Sequence, residues 1–384
     1  MEEGVCREIA PDGSTTGFRV RGDGLLHDEY VLVPGYRGVF YGLELEFFTV
    51  DRDTLLPRDC LDSVAAHPQF GVFVTPELAA EQVEVKTPPT AILQNHEDLL
   101  LDLCADLNSV LAREGAMVLP IALYDTAPLT VGASARGSVL ASVLGRNFEE
   151  HGVTIASDQI NIGAGDEANA FRIYSAVSAL LPLLMELSAA SPFSAGRPNG
   201  VAANRMDVYD AALEGFPGAS GFPPPMEGLA AYATHLAEQA FFQHPTTSYK
   251  YVRPMPQRGV AAEIRCLDKQ PTIADTMALL ALCKAVVNRV SAGDVGSDSL
   301  LALAHAEKAF QRARREGGAP PIGTRVLLEE LAMWLDARER HYLAPLLARL
   351  DRGSPAREMR ERERRVGLGN LYREIAAGSV RRGG

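Results

Sequence analysis

The chain has 384 residues, 47% of them hydrophobic and 22% charged, which suits one large domain or two ordinary ones with a sizeable core. Formal net charge is −12, which excludes binding to nucleic acid through a generally basic surface; a small anionic substrate would need local screening by arginines or metal ions. Five scattered cysteines (Cys6, Cys60, Cys104, Cys266, Cys283) form no C-x-x-C pair, and no histidines lie at H-E-x-x-H spacing, so oxygen is the expected ligand for any metal.

Residues 1–36 carry turn chemistry ("PDGSTTG", "RGDG", "PGYRG") around short stretches such as "YVLV" and read as an irregular or hairpin-forming extension. The start is acidic and polar where a secretion signal would be basic and then apolar, and no apolar run approaches the ~20 residues of a membrane span. A cytoplasmic protein without membrane contact is expected. From residue 37 a strand-like run, "GVFYGLELEFFTV", begins, followed by a second at "EQVEVKT". Leu99, Leu100, Leu103, Leu107, Val110 and Leu111 recur at helical spacing and predict a helix from about Asn95 to Gly115.

"AMVLPIALY" and "VTIASDQINIG" read as strands, and a long helix follows the cap Asp166 to about Ser191, where "SPFSAGRPNG" stops it. After the proline- and glycine-rich "EGFPGASGFPPPMEG" come a helix around 228–242, the strand "GVAAEIRCLD" and the helix "TIADTMALLALCKAVVNRV". Beyond 294 the pattern is helical and increasingly charged. It reads as a solvated helical region with paired charges, with a basic docking surface as the alternative. Strands and helices mix without strict alternation, which favours α+β.

Side chains alternate between faces along a strand, so Glu44 and Glu46 share one face while Leu43, Leu45 and Phe47 take the other. The device recurs in Gln82, Glu84 and Lys86, in Gln159 and Asn161, and in Glu263 and Arg265. An antiparallel sheet with one face in water would alternate in the same way. Solvated faces, however, tend towards mixed Lys, Thr and Ser, whereas Glu, Gln, Asn and Arg suit a cation and a polyphosphate. Glu44, Glu46, Glu84 and Glu263 could supply the oxygen ligands Mg²⁺ prefers, and without a cation four neighbouring carboxylates would repel and raise each other's pKa values. "GAGDEA", Gly163–Ala168, is at odds with a dinucleotide fingerprint, because the strand before it is not continuously apolar.

Five segments in register, "GLELEF", "QVEVKTPP", "DQINIG", "SPFSAGRPNG" with Arg205 following, and "YVRPMPQRGVAAEIRCLDKQPTIAD", make the sequence resemble glutamate-cysteine ligase family 2, ATP-dependent carboxylate-amine ligases of the glutamine synthetase-like superfamily. The resemblance spans about residues 40–293. It implies a six-stranded, curved antiparallel sheet forming a funnel, with helices outside and ATP and Mg²⁺ within. By position, Glu44, Glu46, Glu84 and Glu263 are implied as metal ligands, Arg205, Gln159 and Asn161 as substrate-binding, and Arg253 and Arg265 as catalytic. Gln159 stands where many relatives have histidine. The implied division is an N-terminal extension (1–36), a catalytic core (37–293) and a C-terminal helical region packed on it (294–384).

The implied reaction transfers ATP's terminal phosphoryl group to a carboxylate and lets an amine displace the phosphate, the default product being γ-glutamylcysteine or a related γ-glutamyl amide. Amino acids and amines are the expected partners, and a homodimer is compatible. "MDVY" after Arg205 and the loop "FPGASGFPPP" depart from the family pattern and leave the acid and amine open. A phosphotransferase of the guanidino-kinase type and a non-catalytic ATP-binding protein are the competing readings.

Overall fold

The computed structural model describes residues 5–9, 15–19, 38–67, 70, 73–132, 135–216, 218–238, 248–293, 299–317 and 323–378. β1 (Val5–Ile9) and β2 (Thr15–Arg19) pair antiparallel in an extension read from sequence as irregular or hairpin-forming; its "YVLV" segment and residues 34–37 of "PGYRG" lie outside the described residues. β3 (Phe40–Asp51) is the spine of the main sheet. A short helix, α1 (Leu61–Ala65), leads to β4 (Val74–Pro76) and β5 (Gln82–Lys86). α2 (Leu93–Arg113) runs where the leucine spacing puts it, and Gly115, in the left-handed region at φ 70°, turns the chain into β6 (Ala116–Leu119). That strand is shorter than "AMVLPIALY" because Pro120 cannot donate to the ladder.

α3 (Ala135–Leu144) and a π-helical turn, Phe148–Gly152, precede β7 (Asp158–Gly163). α4 (Glu167–Ser188) starts where Asp166 Oδ1 accepts the Asn169 amide at 2.8 Å. The hairpin of β8 (Phe193–Ser194) and β9 (Arg197–Pro198) follows, then α5 (Asn204–Ala212). β10 (Ser220–Gly221) and β11 (Tyr249–Lys250) pair across α6 (Leu229–Glu238); residues 239–242 of the expected helix lie outside the described residues. β12 (Val252–Met255) and β13 (Val260–Ile264) form a hairpin, and α7 (Ile273–Ser291) begins where Thr272 Oγ1 accepts the Asp275 amide at 3.1 Å.

The main sheet is antiparallel throughout, in the order β12-β13-β7-β3-β5-β4, with β6 as a seventh strand on β3. Seven strands rather than six follow from the length of β3. Phe48 pairs with both Gln82 and Leu119, so β5 uses one edge while β6 continues the other edge beyond the end of β7. Leu43, Leu45 and Phe47 join Val83, Val85, Ile160 and Ile264 in a core shared with α2, α4 and α7. α4 is long and apolar enough to cross a membrane by length and composition, but its apolar positions, Phe171, Tyr174, Val177 and Leu181 among them, lie in that core.

The C-terminal region, α8 (Ser299–Glu316), α9 (Thr324–Ala332), α10 (Ala344–Arg352), α11 (Pro355–Val366) and α12 (Leu368–Gly378), is packed as well as solvated. α8 lies along α4, and Leu371, Tyr372 and Ile375 of α12 form a second core with Phe48 and Leu119. Arg349 reaches Gln270 Oε1 at 3.0 Å and Asp275 at 2.7 Å. The outer surface carries the paired charges, Arg357 with Glu361 and Arg362 with Glu358 and Glu374.

Candidate active site

Strand register brings the polar side chains into rows. Glu46 faces Glu84 across the β3–β5 pair, and Thr75 faces Glu84 from β4. Glu44 has Lys86 on one side and Gln159 on the other; Glu263 lies between Asn161 and Arg253. The face grades from acidic at β3–β5 to basic at β12–β13. Like charges directly opposite across a ladder are destabilising, so Glu46 against Glu84 is a costly pair unless a cation lies between them.

Around that pair a third carboxylate enters. Oxygens of Glu46, Glu77 and Glu84 lie within 4.8 Å of one another, with Glu46 and Glu84 buried. This all-carboxylate set fits Mg²⁺, a hard cation that takes oxygen ligands. Glu77 sits in the β4–β5 connection, where neither strand alternation nor helical spacing marks it. Its loop is braced by the neighbouring segment: Gly132 donates to Leu78 O at 2.7 Å and Ala80 donates to Thr130 O at 2.9 Å. A Cβ on Gly132 would stand 2.9 Å from the Glu77 carbonyl oxygen, so the close approach needs glycine.

The remaining contacts orient the acids. Glu46 accepts the Ser157 amide at 2.7 Å on Oε2 and Gln159 Nε2 at 2.6 Å on Oε1. Gln159 Oε1 accepts Arg265 Nη1 at 2.9 Å, so both ends of the amide are committed to joining the acidic and basic halves. Asn161 Nδ2 donates to Glu44 at 3.3 Å, and its Oδ1 has no donor among the described residues. Lys86 Nζ lies 2.5 Å from Glu84. Burial, then the charge of Glu84, push the Glu44 carboxyl up to about 7 against the pull of Lys86; burial also raises Glu46, though Arg205 draws it back.

Glu263 is placed differently from the other three glutamates named by the sequence. It pairs with the Arg253 Nε–H and, at 2.9 Å, with Arg265 Nη1. Burial alone would raise its carboxyl, but the two guanidinium groups outweigh it and hold it at about 2. The structure therefore sets Glu263 among arginines, outside the Glu46–Glu77–Glu84 group.

Arg205, only 2% exposed, enters from α5 and donates to the Arg265 carbonyl at 3.1 Å, with its guanidinium carbon 5.7 Å over the Tyr209 ring. Arg265 stands 5.7 Å over Tyr249. The Nε–H groups of both arginines are buried without an acceptor among the described residues, an arrangement that an anion would complete. Glu46, Glu77, Gln159, Arg205 and Arg265 line one cavity. Lys86, Tyr209 and Tyr249 join the site through tertiary contact; Lys86 had a signal in its place on the polar face of β5 and Tyr209 in the "MDVY" segment that departs from the family pattern, whereas Tyr249 had none.

The profile of glutamate-cysteine ligase family 2 matches residues 40–382, taking in the C-terminal helices as well as the core. Relatives of the glutamate–cysteine ligase 2 type include one from Ruegeria pomeroyi, 26% identical over 64% of this chain and 64% of its own length. Another, from Pseudomonas paraeruginosa, is 28% identical over 73% of this chain and 75% of its own. Among solved structures, the glutamate–cysteine ligase of Francisella tularensis in complex with AMP superposes with a TM-score of 0.66 at 14% identity, covering 91% of this chain and 89% of that one. A bifunctional glutathione synthetase from Pasteurella multocida gives 0.64 at 16%, covering 89% of this chain and 51% of that one. The superpositions show an α+β fold of the glutamine synthetase-like kind, with an antiparallel sheet and packed helices, as the sequence led us to expect. With its profile matched over nearly the whole chain, the protein belongs to glutamate-cysteine ligase family 2, a family of ATP-dependent carbon–nitrogen ligases.

Proposed function

We propose that the protein activates a carboxylate with ATP and joins it to an amine, with glutamate and cysteine as the default pair. The carboxylate oxygen attacks the terminal phosphorus, ADP leaves, and an acyl phosphate forms; the amine then attacks the acyl carbon, loses a proton and expels phosphate. The observation that carries this reading is one cavity whose lining includes Glu46 and Glu77 of the carboxylate cluster together with two buried guanidiniums, Arg205 and Arg265, whose Nε–H donors have no acceptor among the described residues.

Glu46, Glu77 and Glu84 would hold Mg²⁺, with Glu44 beside them. The ion, when bound, would supply positive charge that offsets the negative charge of the phosphates. Arg265 and Arg205 would bind the transferring phosphoryl group or a substrate carboxylate through the donors left free, aimed where charge develops. Arg253 and Glu263 would fix Arg265 in place rather than contact metal, and Gln159 would keep Glu46 and Arg265 in register. Asn161, through its free Oδ1, is a further candidate contact for substrate. A cytoplasmic setting belongs to the same reading, supported by buried, unpaired Cys60, Cys104, Cys266 and Cys283.

The test is purified protein with ATP, Mg²⁺ and a panel of amino acids, with ADP and phosphate assayed and products identified by mass spectrometry. Phosphate release that depends on both a carboxylate and an amine, with a matching amide mass, is the expected result. Phosphoryl transfer without an amine requirement would instead make it a phosphotransferase, and no binding of Mg²⁺-ATP would remove the catalytic reading altogether.

A further inference from the structure

Arg314, in the last turn of α8, is buried, yet it is not among the residues that line the cavity. Its guanidinium grips two carboxylates of α5: Nη1 donates to Asp210 Oδ2 at 2.7 Å, and Nη2 donates to Asp207 Oδ1. Residues three apart on a helix share a face, so one rigid fork bonded to both fixes how α5 is rotated about its axis. Burial alone would draw the Arg314 pKa down, but the neighbouring charges, Asp210 foremost, raise it. The start of α5 is held from the same side. Its N-cap, Ala203, makes no side-chain cap, and the Ala202 and Ala203 amides donate to the Arg315 and Arg314 carbonyls at 3.0 Å each.

α5 carries Arg205 and Tyr209, one turn apart, into the cavity lining. Asp210 also ties the helix to the strand that ends at the second arginine. It accepts the Tyr251 hydroxyl at 2.9 and 3.1 Å, and the Tyr251 carbonyl accepts the Arg265 amide at 2.9 Å. The Tyr251 ring in turn stacks on Phe310 of α8, with centroids 4.9 Å apart. Asp207 and Tyr209 fall in "MDVY", the segment that departs from the family pattern. We propose that Arg314 is a positioning residue: by clamping Asp207 and Asp210 it holds Arg205 in register with Arg265, so that the C-terminal region completes the site without entering it. The inference rests on the ligase reading above, which gives the two guanidiniums one anion to share.

The test measures acyl hydroxamate formation by the full chain from ATP, Mg²⁺, hydroxylamine and glutamate, or the carboxylate that the product screen selects in its place. Arg314→Gln removes the charge and should lower kcat/KM for the carboxylate by about 10-fold or more, since a misplacement of about 1 Å can cost about 10²-fold. The Mg²⁺ concentration for half-maximal rate should stay at the wild-type value. Arg314→Lys should recover only part of the loss, because an ammonium is a point charge and not a fork. Asp207→Asn, on a half-exposed side chain, should give a smaller loss in the same direction.

The deciding comparison uses second backgrounds. In Arg205→Lys, Arg314→Gln should cost less than about 2-fold further, because the group it positions is gone; in Glu77→Gln at saturating Mg²⁺ it should cost the full factor. A merely structural role would give the same factor in every background. Asp207→Asn is carried through the same cycle, so the comparison stands should Arg314→Gln not fold. Absence of hydroxamate with wild-type protein would overturn the ligase reading and this inference with it. Hydroxamate formation with kcat/KM unmoved in Arg314→Gln and Asp207→Asn, or lowered by an equal factor in the Arg205→Lys background, would overturn the inference and leave the ligase reading standing.

Discussion

At Glu46 the two carboxylate oxygens accept from different partners, the Ser157 amide and Gln159, which fixes the group's orientation while its charge faces Glu84. Substitution by glutamine keeps the shape and removes the charge, so Glu46→Gln should cut phosphate release by about 10²–10³-fold, the scale of losing one preorganised electrostatic contact. Its melting temperature should change little, since relief of the repulsion between facing carboxylates is set against the loss of one accepted hydrogen bond, the new NH2 meeting a donor at Ser157 or Gln159. Full activity in this variant would show that the metal assignment is wrong. Glu77→Gln should raise the Mg²⁺ concentration needed for half-maximal phosphate release; an unchanged Mg²⁺ titration would take Glu77 out of the site. The two residues differ in legibility. Strand alternation marks Glu46, whereas nothing periodic surrounds Glu77, and it joins the cluster only because the β4–β5 connection folds back over Glu84.

Among the elements, the helices are legible because their signals are local. The leucine spacing of α2, the Asp166 cap of α4 and the Thr272 cap of α7 depend on neighbours within a turn. The brace between the Glu77 loop and Gly132 is non-local, joining segments more than fifty residues apart in the chain. This difference yields paired expectations. Asp166→Ala should cost about 1 kcal/mol in a urea titration and leave the Mg²⁺ dependence of activity alone. Gly132→Ala must push the Glu77 backbone away, so it should raise the Mg²⁺ concentration needed for half-maximal phosphate release, as Glu77→Gln does. A Gly132→Ala enzyme with wild-type Mg²⁺ affinity would separate the brace from the metal site.

Over the whole molecule the site imposes opposite pH dependences. Glu263, held at about 2 against an ordinary value of 4.5, contributes stability that is present above pH 4.5 and lost as pH falls towards 2. Glu44, raised to about 7, works the other way: the folded chain holds its proton more tightly than the unfolded chain does, so stability falls as pH rises from 4.5 to 7. A cation beside Glu44 would offset that loss only where Glu44 is ionised. Thermal melts with and without Mg²⁺ should therefore show a larger upward shift at pH 8 than at pH 5, and equal shifts at both would argue against a carboxylate-held ion.

The sequence by itself determined the strand faces, the long helices α2, α4 and α7 with the Asp166 cap, and the acidic character of the β3–β5 face, because each is written in residues a few positions apart; the short helices α1, α3 and α5 carry no such signal. Only the tertiary structure decided which polar residues became neighbours across the sheet. Period-two alternation says which face a side chain takes but not what stands beside it on the next strand. The difference shows at Glu263, paired with two arginines, and at Glu77, brought in by a loop.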